Sequence, residues 1–188
     1  RMHLRLILKY VVLPVLIVGA IGFALFHRSI IRHFRVSWCF DTIVSEDTNF
    51  EKAEAAFNTI MSKGLEAEPY LLDKAVKNPV LRERKIALYL LGNLKSQNAV
   101  PLLLKSLEDN EEMVRLGAVQ GLKYMMRSEF VKPVGALVKD PSPEVRRFAA
   151  DALGNTPPAG AAQAAATLLV FIQNEYRRYN VRNWHEPW

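Results

Sequence analysis

Apolar and polar positions in the middle of the chain return with two periods. From Val80 to Asp140 aliphatic and small residues recur every three to four positions, the spacing of helices with one buried face. That arrangement then repeats after 31 residues: Arg84 lies on Arg115, Ala87 on Ala118 and Leu91 on Leu122, and further along Leu103 lies on Val134, Leu107 on Val138 and Asp109 on Asp140. Another step forward reaches Arg146, Ala149, Leu153, Ala165 and Leu169; a step back reaches Ala53, Ala56, Ile60, Leu72, Val76 and Asn78. A fixed period of this size marks a stacked array of helical hairpins. Four units are expected, at about 48–78, 79–109, 110–140 and 141–172. The first helix is predicted over Phe50–Lys63, burying Ala53, Ala56, Phe57 and Ile60, with Gly64 as its stop. Asn78-Pro79 and Asp140-Pro141 close the first and third units.

The N-terminal part follows another pattern. Tyr10 to Phe26 carries no charge, and the run extends to Leu4 if Arg5 and Lys9 reach out to the head groups. The uncharged stretch spans about 25 Å as a helix, and the extended one crosses a bilayer core of about 30 Å. A single transmembrane anchor is therefore expected over residues 1–27, meeting lipid through residues 4–26. A cleaved leader is the rival, but Ala20-Ile21-Gly22 is a poor cleavage site. Ala20 and Ala24 form a small-xxx-small pair that could seat another helix. Three basic residues flank the run on each side, so orientation leans only slightly towards export of the following domain.

Residues 28–47 read as an interfacial segment and linker. Ile30, Ile31, Phe34, Trp38 and Phe40 interleave with Arg28, Arg32 and Arg35, as in a collar at head-group depth, and the polar run Asp41–Thr48 follows. The six-residue spacing of His27 and His33 does not place them on adjacent helical turns, which argues against a metal pair. Cys39, the single cysteine, reads as a buried or membrane-edge thiol.

The run Glu144–Gly154, in which Val145, Arg146, Ala149, Ala150, Ala152, Leu153 and Gly154 hold the key positions, resembles the short HEAT repeats of the phycobilisome-lyase type. The whole chain is thus expected to be all-α: a transmembrane helix followed by a right-handed α-solenoid of about four HEAT-like helical hairpins. The resemblance also implies roles for particular residues. Asn78, Asp109 and Asp140 each precede an arginine, Arg84, Arg115 and Arg146, by six residues. In such arrays these residues form a polar ladder between successive units; a row of arginines facing a ligand is the alternative. Second helices of the units line the partner-binding side in the family, which makes Lys74, Lys105 and Lys132, with Lys139, candidate partner contacts.

Ala159–Ile172 is apolar on nearly all sides, although an end repeat should present a polar face. Something should cover it. The tail at 173–188 could fold back over it, or a partner subunit could dock there. Tyr176, Tyr179, Trp184 and Trp188, set among arginines, are the candidate anchors.

Charge narrows the function. The net charge is +6, but residues 1–40 hold six basic residues and no acid, while 41–172 hold 16 basic and 17 acidic. The array lacks the basic excess of a nucleic-acid groove, so no nucleic acid is expected. There is no P-loop, GxGxxG or HExxH, and the one His-Glu pair is His185-Glu186. HEAT-type di-iron hydroxylases carry such pairs on their repeats, which counts against that activity. No catalytic residue, metal or cofactor is expected. The chain reads as a membrane-anchored scaffold or accessory subunit that binds other proteins of a membrane complex; an assembly, chaperone or lyase-like factor handling a cofactor or client is the alternative.

Overall fold

A computed structural model describes residues 34–183, with side chains as far as Tyr179. The anchor read at residues 1–27, including Ala20 and Ala24, lies outside these residues, as do His27, His33, Trp184 and Trp188. Among the described residues there is no strand, and no helix is long and apolar enough to cross a membrane.

The described chain forms two compact units, one ending at Ile60 and one beginning at Met61. In the first, residues 34–44 are helical (α1) and Phe50 opens α2, Phe50–Lys63. Asn49 caps α2 by accepting from the Lys52 amide at 2.9 Å. Asp41–Val44, expected in a linker, belong to α1. Phe34 and Trp38, one turn apart, are exposed, whereas Val36, Cys39 and Phe40 on the opposite side are buried. Phe40 is therefore a core residue and no part of an aromatic collar. On α2, Ala56 and Ile60 are buried and Ala53 and Phe57 are partly exposed.

Helix α2 stops within the second unit at Gly64, whose φ of +55° is the left-handed conformation that ends helices and suits glycine. A Cβ there would meet nothing within 4 Å, so backbone conformation is the reason for glycine. The helices that follow are α3 (Glu68–Lys77), α4 (Leu81–Asn93), α5 (Val100–Ser106), α6 (Glu112–Lys123), α7 (Val131–Ala136), α8 (Pro143–Gly154) and α9 (Ala161–Asn183). Helices α4, α6 and α8 stack on one another, and α3, α5, α7 and α9 pack beside them, one per unit, as a solenoid-like array. The periodic positions Ala87, Ala118 and Ala149 and Leu91, Leu122 and Leu153 are all buried along this stack.

The tightest crossing is that of α4 with α6. Gly117 lies against the Lys85 backbone: a Cβ there would sit 2.6 Å from the Lys85 carbonyl oxygen and 2.7 Å from its Cα. One turn on, a Cβ at Gly121 would sit 2.6 Å from the Leu88 carbonyl oxygen, and one at Gly92 would strike the Gly121 backbone. Three glycines let two helix backbones touch, and that closeness buries Leu88, Leu91, Val114 and Leu122 completely.

The second helices depart from the strict 31-residue register. In the middle units the expected residues are buried: Leu103 and Leu107 on α5, Val134 on α7 and Val138 just after it. On α3 the buried pair is Leu71 and Ala75 instead of Leu72 and Val76, and on α9 Ala164 is buried instead of Ala165. The cause is length. Twelve residues separate Leu91 from Leu103 and Leu122 from Val134, but only eleven separate Ile60 from Leu71 and Leu153 from Ala164. One residue turns a helix by about 100°, enough to carry Val76 and Leu169 out of the core.

Candidate functional site

The arginine ladder is built from turns that recur between units. Asn78 Oδ1 accepts from the Val80 amide at 2.8 Å, Asp109 Oδ1 from Glu111 at 3.0 Å and Asp140 Oδ1 from Ser142 at 2.9 Å. Each is a side chain closing its own turn just before a helix, which is why short amide and acid residues recur there. The acid then faces back towards the first helix of the unit that it closes. Arg84 donates to Asp109 at 3.2 Å, and Arg115 donates through two nitrogens to Asp140 at 2.8 and 3.1 Å. The same guanidiniums hold the turn ahead of their own helix. Arg115 Nη1 donates to the carbonyls of Asp109 and Asn110 and Arg146 Nη1 to those of Asp140 and Pro141, whereas Arg84 Nε donates to the carbonyl of Ala75 in the last turn of α3. Each rung thus ties one inter-unit turn to the next. Asn78 differs: its amide donates to Glu83, which also takes Lys74 at 3.1 Å.

The period would place the last acid at residue 171, where Phe171 stands. Glu175, one turn further along α9, takes the position. Arg146 Nε donates to it at 2.7 Å, and Arg178 on the same helix joins the pair. The Arg146 guanidinium, helped by Arg178, holds the Glu175 carboxyl below the usual carboxylate range, while partial burial works the other way. Glu175 went unrecognised in the sequence because it sits off period in what reads as a tail.

Residues 173–183 are no tail but the second half of α9. Tyr176 and Tyr179 stay on that helix and do not fold back over it. The helix has two stripes. Ala164, Leu168, Phe171, Glu175 and Arg178 make up the inner one, with Ala164 buried and the others partly covered, where α9 packs on α8, α7 and the turn Leu137–Lys139. Ala162, Ala165, Leu169, Ile172, Tyr176 and Tyr179 make up the outer one, at alternating steps of three and four residues. Its large members are about two-thirds exposed: Leu169 61%, Ile172 60%, Tyr176 67% and Tyr179 67%. No charged side chain lies between Ala161 and Asn174. A continuous apolar stripe on α9 is a surface of the kind that marks protein contact.

The candidate lysines are less uniform than their spacing implies. Lys74 is engaged, bonded to Glu83 and 5.7 Å from the Tyr70 ring centre. Lys105, Lys132 and Lys139 are exposed on α5, α7 and the turn after α7. Among the described residues, no three or more His, Cys, Asp or Glu side chains cluster in a way that could hold a metal ion.

Comparison with known protein families finds HEAT repeats at residues 103–183 and a PBS lyase HEAT-like repeat at residues 83–109. The first match takes in the whole of α9, so the extended helix lies inside the recognised repeat region. No curated protein matches the chain.

Proposed function

We propose that this HEAT-type array is a protein-docking scaffold, an accessory subunit held at a membrane as part of a larger assembly. HEAT repeats generally mediate protein–protein interaction, and the observation that carries the reading here is the outer stripe of α9. It leaves Leu169, Ile172, Tyr176 and Tyr179 uncovered along one side of a single helix. Exposed Lys105, Lys132 and Lys139 offer a second, cationic surface for an acidic region of a partner. Binding is by surface complementarity, without catalysis and without a cofactor.

The membrane tether rests on the uncharged run Tyr10–Phe26, read as a single-pass anchor with its domain on the non-cytoplasmic side, ahead of a right-handed array of about four hairpins. The exposed pair Phe34 and Trp38, beside Arg35 on α1, suits the head-group layer that would follow such an anchor. The PBS lyase-type repeat at 83–109 gives weaker support to a second reading, an assembly, chaperone or lyase-like factor that handles a cofactor or client protein.

The test is extraction of the chain from its own membranes. Retention after an alkaline wash, and loss of co-purifying chains when Ile172→Glu and Tyr176→Glu are introduced together, are the expected results. Release by the wash counts against the tether. An unchanged set of co-purifying chains counts against docking through α9.

A further inference from the structure

The outer stripe of α9 is complementary to itself. Ala162, Ala165, Leu169, Ile172, Tyr176 and Tyr179 follow the three–four spacing of a coiled-coil seam over about two and a half heptads. Their sizes run from small to large about a midpoint between Leu169 and Ile172. Set against a second copy running the other way, Leu169 meets Ile172, Ala165 meets Tyr176 and Ala162 meets Tyr179. Every layer then pairs a small residue with a large one, or two aliphatics of middle size, which is how facing helices interdigitate without voids. A parallel pairing would instead set tyrosine on tyrosine and leave gaps between alanines.

Charge agrees with the antiparallel arrangement. The flanking positions opposite one another would be Ala166 with Gln173 and Leu168 with Glu175. Neither is a like-charged pair, and Glu175 is already neutralised within its own chain by Arg146 and Arg178. Size agrees as well. The four large side chains leave on the order of 500 Å² uncovered per copy, so a pair would bury about 1,000 Å², near the lower edge for specific complexes.

We infer that α9 docks on α9 of a second copy of this chain, antiparallel, about a two-fold axis between Leu169 and Ile172. This deepens the proposed function, since it rests on the α9 stripe being a docking surface and names its occupant. A two-fold contact of this kind uses one patch twice and closes on itself, so it yields a dimer and no filament. The remaining exposed faces of both arrays stay available to other subunits.

The geometry makes a disulfide test specific. In one helix residues 165 and 176 lie about 16 Å apart, beyond the reach of a disulfide within the chain. In the antiparallel pair they face each other across the seam. The full chain carrying both Ala165→Cys and Tyr176→Cys should form a covalent dimer under mild oxidation, whereas either substitution alone should not. Native Cys39 is buried and can remain as an internal control. The unsubstituted chain in mild detergent should sediment as a dimer, and Leu169→Glu with Ile172→Glu should weaken that dimer at least tenfold while leaving its circular dichroism unchanged.

A chain that sediments only as a monomer, or single variants that cross-link as well as the double one, would overturn the inference. If the chain is monomeric and the Leu169→Glu, Ile172→Glu variant still loses its co-purifying chains, self-pairing falls and the docking surface stands with a different occupant. If that variant alters neither property, both fall.

Discussion

Replacing Gly117 by alanine tests the glycine-mediated crossing of α4 and α6. Ordinary Cβ contacts lie at 3.4–4 Å, and here the new atom would stand 2.6 Å from one backbone atom of Lys85 and 2.7 Å from another. Neither neighbour is a flexible side-chain end, so the helices themselves must part by roughly 1 Å. That opens the contacts of Leu88, Leu91, Val114 and Leu122, all fully buried. Overpacking of this kind costs about 1–3 kcal/mol. Alanine is the better helix former by about 1 kcal/mol, which offsets part of that. A net loss of about 1–2 kcal/mol is expected for Gly117→Ala. Gly154, at the end of α8, is the control: a Cβ there meets nothing within 4 Å, so Gly154→Ala should be neutral or slightly stabilising. Urea unfolding followed by circular dichroism reads both, and a 2 kcal/mol difference between them moves the midpoint by about 1 M for a typical slope. Equal midpoints for the two variants would refute the close crossing.

Three further outcomes follow from the same packing. Arg115→Ala should cost about 3 kcal/mol, because it strands Asp140, whose side chain is 3% exposed, and leaves two carbonyls without their donor; Arg84→Ala, in a more open pair with one contact, should cost about 1 kcal/mol by the same urea assay. The Glu175 carboxyl is lowered when folded, so its contribution is present above the ordinary glutamate range near ~4.3 and is lost as pH falls through the lowered folded value. Protection of the α9 amides, taken relative to intrinsic exchange at each pH, should therefore fall in that acidic window, and Glu175→Gln should remove the dependence. Lys95 holds φ at +52° just after α4, where its amide and that of Ser96 close the helix end on Gly92 and Leu91; Lys95→Gly should raise stability by about 0.5–1 kcal/mol in the urea assay.

The parts of the fold that were legible in the sequence are those set by a repeating need. Every first helix must bury one small and one large residue against its neighbours, so alanine returns at 56, 87, 118 and 149 and a large aliphatic at 60, 91, 122 and 153. Every inter-unit turn needs a short side chain to close it, so Asn78, Asp109 and Asp140 recur with their arginines. What breaks the repeat was hidden. Gly92, Gly117 and Gly121 serve one crossing and have no counterparts one period away. The one-residue shortening before α3 and α9 is too small to read from composition, yet it decides that Ala164 is covered and Leu169 is not. Glu175 was masked for the same reason: the rung it completes belongs to the ladder, but its position follows the turn of α9 and departs from the 31-residue count. The exposed stripe of α9 could be found only once the inner stripe was known, because nearly all of Ala159–Ile172 is apolar.

The central claim is that this array works by docking on other proteins in a membrane assembly. The measurement that bears on it most directly is the native mass and chain content of the particle extracted from its own membranes in mild detergent. The account predicts a particle several times heavier than one chain of 21.3 kDa, holding two copies of this chain together with other subunits. A homogeneous particle of a single chain, with no other protein bound, would contradict it.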